Sequence, residues 1–595
     1  MAYYLYKKIK ASRTEKSSDG IPHETAQPSP YESTQDGGRP TSGDRAAALL
    51  ENKTSPQFKA EQRRRRLYRW KLIGSLFMPY LLATIDLTIV ATAVPFIASH
   101  FDQLGQLNWI VTAFTLTSTA LIPTFGQLAD VFGRHAVLQL ATLLMLVGSI
   151  LCAAAQTWGM LLLGRALQGM SSAGLMTTIM IILADNVSLE ENAKNNSFFA
   201  LVGGIAYSIG PVVGGWRYCF VISIPVAFVS HIIIYIFLRQ ELKQGTYSSR
   251  GNRLAWFFRA LATLDIIGTI LFIFGVGLII LGTAWGGSTY PWTSAKVLAP
   301  LVIGSICFVS FFGYECLLEK GSLSRLFPTQ KPMLPYSMFK RLDTLWLVIL
   351  QFSAGAAMYS VFYYIGIYFT LVEEYPASKA GVQLLYYIPG LGAGVYLAIL
   401  LCNTFPAQTF PPLALGTLLE TLGIALITYG IRTQKANILN GMMVLAGAGT
   451  GIRMMPATLH AAGVWPDKIA AVLSLLRFAL PFGGGADSLD FVNSLPKHVQ
   501  EGVRLAGRDA IMWAYIAVLP ILGVSLVTGL CLGNVWIKPK PKGDQEQGAE
   551  RVGESDVVYV PYLYAVLKGV EKYKHVSRPH LEGDMPRDTR DGTRP

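Results

Sequence analysis

Long apolar runs separated by short polar stretches dominate the chain from residue 73 to residue 533. A helix needs about 20 mainly apolar residues to cross a bilayer. Proline and glycine inside the runs do not argue against helix, because membrane helices tolerate both. The pattern predicts an all-α polytopic membrane protein with about fourteen spans, grouped as six, two and six. The predicted spans are 73–98, 107–127, 136–155, 159–183, 197–215 and 218–237, then 265–285 and 296–317, then 344–369, 381–402, 411–430, 438–461, 469–485 and 511–533.

Basic residues in alternate loops predict the orientation of these spans. Arg63–Arg66 precede the first span, and Arg134, Lys194 and Arg325 lie in loops on the same side. Lysine and arginine collect in cytoplasmic loops, so this side and the N-terminus are predicted to be cytoplasmic. The loops on the other side contain no lysine or arginine and lie near 99–106, 156–158 and 287–295.

Composition excludes several classes of protein. Hydrophobic residues make up 52% and charged residues 15% of the 595 positions, whereas a soluble domain is about 25% charged. The net charge of +13 does not indicate nucleic acid, because the cations lie in alternate loops. The six cysteines lie in or beside apolar runs, which suits neither a disulfide framework nor a metal site. With no phosphate loop or nucleophile elbow either, the chain is not expected to be an enzyme.

The spans and charges together predict five regions. Residues 1–70 form a disordered cytoplasmic N-terminal tail, and 71–237 form an N-terminal six-helix bundle. Residues 238–343 are a cytoplasmic linker with two extra transmembrane helices. A C-terminal bundle covers 344–535, with an incomplete span near 469–485, and 536–595 form a disordered cytoplasmic tail.

The loop between the second and third spans combines opposite charges with glycines. Asp130 and Arg134 lie four residues apart, flanked by Gly126 and Gly133. A charge cluster at a helix mouth can form or break ion pairs as two halves rock, so this loop is a candidate gate. The alternative is a further basic loop that only fixes orientation.

Polar side chains on the fourth span share one face. Arg165, Gln168, Gly169 and Ser172 follow helical spacing. An arginine inside a span costs about 2.5–3.5 kcal/mol on insertion scales, so it is expected to face a cavity or a carboxylate. The alternative is an arginine near the helix end that reaches the membrane interface.

Two carboxylates fall within apolar runs, Asp86 in the first span and Glu420 in the eleventh. Each is costly unless it is protonated or paired, so each is a candidate for taking up and releasing a proton. The alternative is a fixed, hydrogen-bonded structural acid. Arg453 and Arg477 add cations in the second half and are candidate partners for Glu420.

The fifth span is rich in glycine. Gly203, Tyr207, Gly210 and Gly214 lie on one stripe, which is a face for close helix packing. Pro211 removes one backbone hydrogen bond and is expected to bend the helix between Gly210 and Gly215.

Together these motifs resemble the major facilitator superfamily, specifically its fourteen-helix drug:proton antiporters in the fungal toxin and multidrug efflux branch. The resemblance covers roughly residues 70–535. The segments that carry it are Gly126–Arg134, Leu161–Gly169, Gly210–Gly215, Asp86–Pro95, Asp265–Gly268, Ala284–Gly287 and Gly449–Pro456.

The resemblance implies two six-helix bundles around a central cavity, with alternating access driven by a proton gradient. By the resemblance, Arg165 would take part in proton coupling. The Gly126–Arg134 loop would act as a gate, and the Gly210–Gly215 kink would support the conformation needed for antiport. Mutating Asp86 or Arg165 to alanine would abolish efflux and leave folding largely intact. The cavity is expected to be lined by Asp86, Arg165, Gln168, Tyr207, Tyr359, Tyr363 and Tyr364.

The function expected from the resemblance is export of amphipathic small molecules such as fungal secondary metabolites, toxins or drugs. The expected partners are substrate, protons and lipid, with no cofactor, no metal and no nucleic acid, in a monomer. The plasma membrane is the expected location, with a vacuolar or vesicular membrane as alternatives. Import of a siderophore or another small molecule with protons remains a rival, as do a transporter-derived receptor and a non-functional truncated product.

The sequence departs from the family pattern at four places. Val131 replaces an arginine, and His135 stands where a stronger base is expected. Gly215-Trp216-Arg217 leave almost no external turn, and Pro481–Gly485 pass directly into a polar segment. Gene-model errors and natural truncation both explain the last two departures. If 469–485 does not span, the C-terminal tail is expected to lie outside.

Overall fold

The structure is a computed structural model of the chain. It describes residues 56–537 and 555–577, apart from gaps at 104–105, 107, 186, 188, 210–215, 240–241, 243–252, 288–289, 322, 328, 376, 405–406 and 480–496. By internal contacts the chain divides into residues 1–68 and residues 69–595. In the first unit the described residues, 56–68, are helical. The predicted disordered tail 1–70 is therefore helical from Pro56 onwards.

The regular elements described in the first half of the chain are helices. Its helices are α1 (Pro56–His100), α2 (Asn108–Ala120), α3 (Ile122–Phe132), α4 (Arg134–Ala153), α5 (Trp158–Ala184), α6 (Leu189–Ile209) and α7 (Trp216–Leu238). The short α8 (Arg253–Leu261) precedes the two extra helices, α9 (Ile266–Trp285) and α10 (Ala295–Lys320), and α11 (Leu323–Leu326) follows them.

The second half begins with a 3₁₀ turn at Tyr336–Lys340. Its helices are α12 (Leu342–Leu371), α13 (Ala377–Leu384), α14 (Tyr387–Asn403), α15 (Phe410–Thr433), α16 (Ala436–Val464), α17 (Ile469–Ala479) and α18 (Lys497–Cys531), with a 3₁₀ turn at Pro466–Lys468. After α18 come β1 (Asn534–Val535), β2 (Ser555–Val558), α19 (Tyr562–Lys568), a 3₁₀ turn at Val570–Tyr573 and β3 (Lys574–Ser577).

Most of the predicted spans are present as long apolar helices. Among the described residues, 10 helices are long and apolar enough to cross a membrane, or 11 if α2 and α3 form one bent span. The bend is 45°, and Pro123 explains it because proline cannot donate the backbone hydrogen bond that would continue the helix. The other predicted spans, 73–98, 197–215 and 469–485, begin in α1, α6 and α17. Of these, 210–215 and 480–485 lie outside the described residues.

Small residues let the helices of the second bundle approach each other closely. α16 packs against both α14 and α15. A Cβ atom at Gly394 of α14 would collide with the Ala448 carbonyl of α16, and one at Gly447 of α16 would collide with the Tyr387 carbonyl. Close backbone approach supplies the van der Waals contacts that hold membrane helices together in place of the hydrophobic effect.

The two halves contact each other near one face of the membrane. We call this the basic face, because Arg134, Lys194 and Arg341 lie on it. Here α3 and α5 pack on α17, and α6 packs on α14 and α16. Ser197 of α6 donates a hydrogen bond to the Met455 sulfur at 3.2 Å and accepts one from the Asn403 amide at 3.0 Å. The halves are therefore closed together on the side that the charges predict to be cytoplasmic.

Residues 555–577 of the predicted disordered tail are folded, which corrects that prediction. β2 pairs antiparallel with both β1 and β3. Val535 and Val557 pack in an apolar cluster with Val464 at the end of α16, and Leu189 at the start of α6 joins the same cluster. The sheet thus contacts both halves at the basic face.

Candidate functional site

Asp86 and Arg165 form a buried ion pair inside the first bundle. Arg165 Nη1 lies 3.1 Å from Asp86 Oδ2, and Arg165 and Asp86 are 2% and 0% exposed. Gln168 binds both partners, since its amide nitrogen donates to Asp86 Oδ1 at 3.1 Å and its oxygen accepts from Arg165 at 2.8 Å. Each charge is therefore compensated by an opposite charge and by hydrogen bonds, as a buried pair requires.

Four helices hold this first network in place. Asp86 comes from α1, and Arg165 and Gln168 come from successive turns of α5. Ser149 of α4 accepts from the Gln168 amide at 3.1 Å, and the Ile110 carbonyl of α2 accepts from Arg165 Nε at 3.3 Å. The network therefore links α1, α2, α4 and α5 through side-chain contacts with Arg165 and Gln168.

A second acid–arginine pair lies in the second bundle. Arg453 Nη2 of α16 is 2.5 Å from Glu420 Oε2 of α15, and both residues are buried. Thr450 donates to the other Glu420 oxygen, and the Tyr387 and Thr450 hydroxyls are 2.6 Å apart. The expected pairing of Glu420 with a basic residue is thus observed, and the partner is Arg453.

Arg453 also reaches two helices at the far side of the bundle. Its guanidinium donates to Ser353 of α12 at 3.1 Å and to Ser525 of α18 at 3.4 Å. These two hydroxyls are themselves 2.6 Å apart. The charge of Arg453 is therefore distributed over α12, α15 and α18, which meet α16 around it.

The candidate gate forms a compact charge cluster at the basic face. Arg134 lies 2.7 Å from Asp130 and 2.8 Å from Asp185, the residue directly after α5. Gly133 has φ of +93°, a conformation that L side chains rarely adopt. Gly133 thus allows the chain to turn so that Arg134 points back at Asp130.

Gln127 connects the gate to the extra helices. Its amide nitrogen donates to the Lys331 carbonyl at 2.8 Å, and its oxygen accepts from the Asp265 backbone N–H at 3.3 Å. Asp265 is in turn the N-cap of α9, and its carboxylate accepts a hydrogen bond from the Gly268 N–H at 2.8 Å. Movement of α3 at the gate would therefore be transmitted to α9 and to the segment after α10.

Gly126 places the gate directly against the second half. A Cβ atom on Gly126 would lie 3.2 Å from the Ser474 Cβ and would overlap the Ser474 hydroxyl. Glycine at this position lets α3 and α17 touch, so opening of the basic face must separate this contact.

A cavity of about 100 Å³ lies between the two halves. Its wall is mainly apolar, with polar groups from both sides. The first half contributes Tyr80, Met176, Thr177, Met180, Asn196 and Gly203. The second half contributes Gln351, Leu391, Val395, Met454, Met455, Thr458, Leu473, Leu476 and Arg477.

Apart from the gate, the site residues predicted from the sequence fall into three places. Tyr359 and Tyr364, expected on the cavity wall, pack against the core of the second bundle. Asp86, Arg165 and Gln168 lie inside the first bundle rather than on the cavity wall, because they bind one another. Glu420 and Arg453 are likewise paired inside the second bundle. The side chains of Tyr207 and Tyr363, and all of Gly210, Pro211, Gly214 and Gly215, lie outside the described residues.

A family model described as Major Facilitator Superfamily matches residues 76–486. The chain belongs to the Major Facilitator Superfamily. The match includes both buried pairs and the gate, and it agrees with the long apolar helices of the structure. The chain is therefore a multi-pass membrane protein of a transporter family, with the all-α fold that the apolar runs predicted.

Fungal transporters are among its relatives. The chain is 29% identical over 391 residues to efflux pump FUS6 of Gibberella fujikuroi, covering 64% of this chain and 67% of that protein. It is 28% identical to the MFS-type efflux pump LUC4 of a Fusarium species, and the match covers 73% of this chain and 75% of that protein. It is 32% identical to efflux pump dotC of Dothistroma septosporum, and the match covers 52% of this chain and 51% of that protein. The matched region thus spans from half to three quarters of these relatives.

Sequence reasoning missed several residues that complete the site. Asp185 follows directly after the fourth apolar run, on the same side as Arg134, and that position could have suggested the pair. Ser149 and Thr450 carry no such signal, because hydroxyls are common in membrane helices and their partners come from other helices. The cavity methionines also resemble ordinary core residues in the sequence.

Proposed function

We propose that the chain is a proton-coupled antiporter that exports amphipathic small molecules, such as secondary metabolites, toxins or drugs, by alternating access. The observation that carries the proposal is the pair of buried acid–arginine networks, one in each bundle, on either side of a cavity between the halves. The printed names of the fungal relatives, which are efflux pumps, support the direction of transport.

The first network provides the means of coupling. Asp86 accepts hydrogen bonds from Arg165 and Gln168, and a proton added to Asp86 would weaken its bond to Arg165. The freed Arg165 would be a buried charge without a counterion, which is unstable. Protonation of Asp86 therefore favours a rearrangement of α1 against α5 and alters the packing of the first bundle.

The gate provides the means by which the cavity is opened and closed at the basic face. The basic face is closed by the contact of Gly126 with Ser474 and by the Ser197 hydrogen bonds. Opening it requires α3 and α6 to move away from the second half, and the Arg134 ion pairs oppose that movement by fixing α3 and α4 to the residue after α5. The plasma membrane is the proposed location of this monomeric protein, with protons as the only other coupled species.

The proposal is tested in sealed proteoliposomes that contain a pH-sensitive dye. Three probes on one pyrene body with a four-carbon linker cover the charge classes: a sulfonate, an alcohol and a quaternary ammonium. An antiporter moves protons in the direction opposite to at least one probe, and Asp86→Asn abolishes that movement. Probe transport with no accompanying proton movement, or no transport of any of the three, would overturn the proposal.

A further inference from the structure

Arg477 lies deep within the second bundle and faces the cavity. It is the ninth residue of α17, which begins at Ile469 on the basic face. At 1.5 Å per residue, eight steps place it about 12 Å along the helix, close to the middle of a hydrocarbon core about 30 Å thick. Its side chain is partly exposed, and it lines the cavity.

Among the described residues, Arg477 lacks the carboxylate partner that Arg165 and Arg453 have. Arg165 and Arg453 each contact a carboxylate. Within the described part of the chain, Arg477 makes no ion pair, and no cavity-lining residue is an aspartate or a glutamate. Charged residues inside membrane spans pair with one another or mark the path of a substrate, so Arg477 indicates a substrate group of negative charge.

Two further polar groups at the cavity have unused hydrogen-bonding capacity. Thr177 Oγ1 from the first half and Gln351 Oε1 from the second half are buried without a hydrogen-bond partner among the described residues. The two residues are 1% and 6% exposed. An unmade hydrogen bond at a buried group is costly. A ligand hydroxyl could donate to Gln351 Oε1, and a ligand hydroxyl or carbonyl could accept from Thr177.

The remainder of the wall is apolar and adaptable. Met176 and Met180 come from α5, and Met454 and Met455 come from α16. Methionine is unbranched and polarizable, and it adjusts to ligands of different shape. The wall therefore suits a bulky apolar body without fixing its outline.

We propose that the substrate is an amphipathic organic anion, an ionised acid on an apolar body that also carries hydroxyl or carbonyl groups, and that Arg477 binds the acid. This inference rests on the proposed function, because it takes the cavity to be the substrate site. Arg477 is then a specificity-determining residue, and the methionines contact the apolar body.

The three pyrene probes test the charge preference by binding to the full chain in detergent. Binding is measured as the rise in Tm that each probe produces as its concentration increases. The sulfonate is expected to bind about tenfold or more tightly than the alcohol, and the quaternary ammonium more weakly than the alcohol. Equal binding of sulfonate and alcohol by the wild-type chain would overturn the inference. This comparison uses the wild-type chain alone.

Two substitutions separate recognition from structure. Arg477→Gln is expected to weaken binding of the sulfonate about tenfold and to leave binding of the alcohol unchanged, whereas Arg477→Lys keeps the charge and restores most of the preference. Loss of sulfonate and alcohol binding in equal measure would assign Arg477 a structural role and overturn the inference.

Failure of this inference differs from failure of the proposed function. Suppose that the alcohol or the quaternary ammonium is exchanged for protons and that the protein shows no preference for the sulfonate. The proposed antiport is then supported, and the proposed anion site is rejected. If the sulfonate binds through Arg477 but transport of none of the three probes moves protons, the anion site stands and the antiporter falls.

Discussion

Asp86 on α1 and Arg165 on α5 form an ion pair at 3.1 Å in the interior of the first bundle, and both are almost inaccessible to solvent. The pair has a counterpart in Glu420 and Arg453 of the second bundle. Each pair joins two helices of one bundle, α1 with α5 in the first and α15 with α16 in the second. The pairs are thus placed where a change of protonation can affect the conformation of each bundle.

Asp86→Asn and Asp86→Ala are expected to differ in stability. The asparagine side chain keeps one oxygen that can accept from Arg165 in place of Asp86 Oδ2, whereas alanine removes both the Arg165 and the Gln168 contacts with residue 86. We expect Asp86→Ala to lower the free energy of unfolding by about 3–5 kcal/mol, and Asp86→Asn to cost much less. This revises the expectation from sequence that alanine leaves folding intact. Thermal unfolding in detergent measures both, and equal Tm values would contradict the account.

We expect that apolar residues can replace the Glu420–Arg453 pair with little loss of folding stability. Glu420→Leu leaves Arg453 uncompensated and should cost about 3–5 kcal/mol, while adding Arg453→Met should recover most of that loss, because apolar residues of similar size tolerate burial. Thr421→Ala is the neighbouring control and should change the Tm little. A double variant no more stable than Glu420→Leu alone would show that the stability of α15 and α16 does not depend on this charge balance.

The ion pairs of Arg134 are expected to stabilise the closed basic face. Asp185→Asn removes one carboxylate at 2.8 Å and should increase the rate at which Ser474→Cys reacts with a membrane-permeant maleimide, in a chain whose native cysteines are replaced by alanine. Ser474 is 1% exposed against Gly126, so only opening exposes it. Glu191→Gln is the control on the same face. An unchanged labelling rate in Asp185→Asn would contradict this role.

The C-terminal sheet is expected to contribute to stability. Val557 is buried against Val464 and Val535, so Val557→Asp places a charge in an apolar cluster and should cost about 2–4 kcal/mol. Leu567 is 84% exposed, which makes Leu567→Asp the matched control with little expected change. Thermal unfolding compares the two, and equal effects would show that the sheet does not depend on this cluster.

The sequence predicted the helices well because spans are defined locally by length and hydropathy. It also identified Asp86, Arg165, Glu420 and Arg453 as costly charges, and the cost itself implied partners. It could not predict the cavity wall, because helical periodicity shows which residues share a face without showing what that face contacts. Arg165 and Gln168 share a face as expected, yet that face meets Asp86 and Ser149 inside the bundle.

The folded tail was missed for a related reason. β2 is short, and Val557 becomes a core residue only when β1 and the end of α16 cover it. These partners lie far away in the sequence, so composition alone indicated disorder. A polar segment with two adjacent valines contains too little apolar surface to predict a strand by itself.

Proton movement during transport tests the central claim most directly. Proteoliposomes with an internal pH-sensitive dye receive an inward or outward gradient of each pyrene probe, for the wild-type chain and for Asp86→Asn. The account predicts proton movement opposite to the probe in the wild type and none in the variant. Probe movement without protons, proton movement in the same direction as the probe, or equal coupling in Asp86→Asn would contradict it.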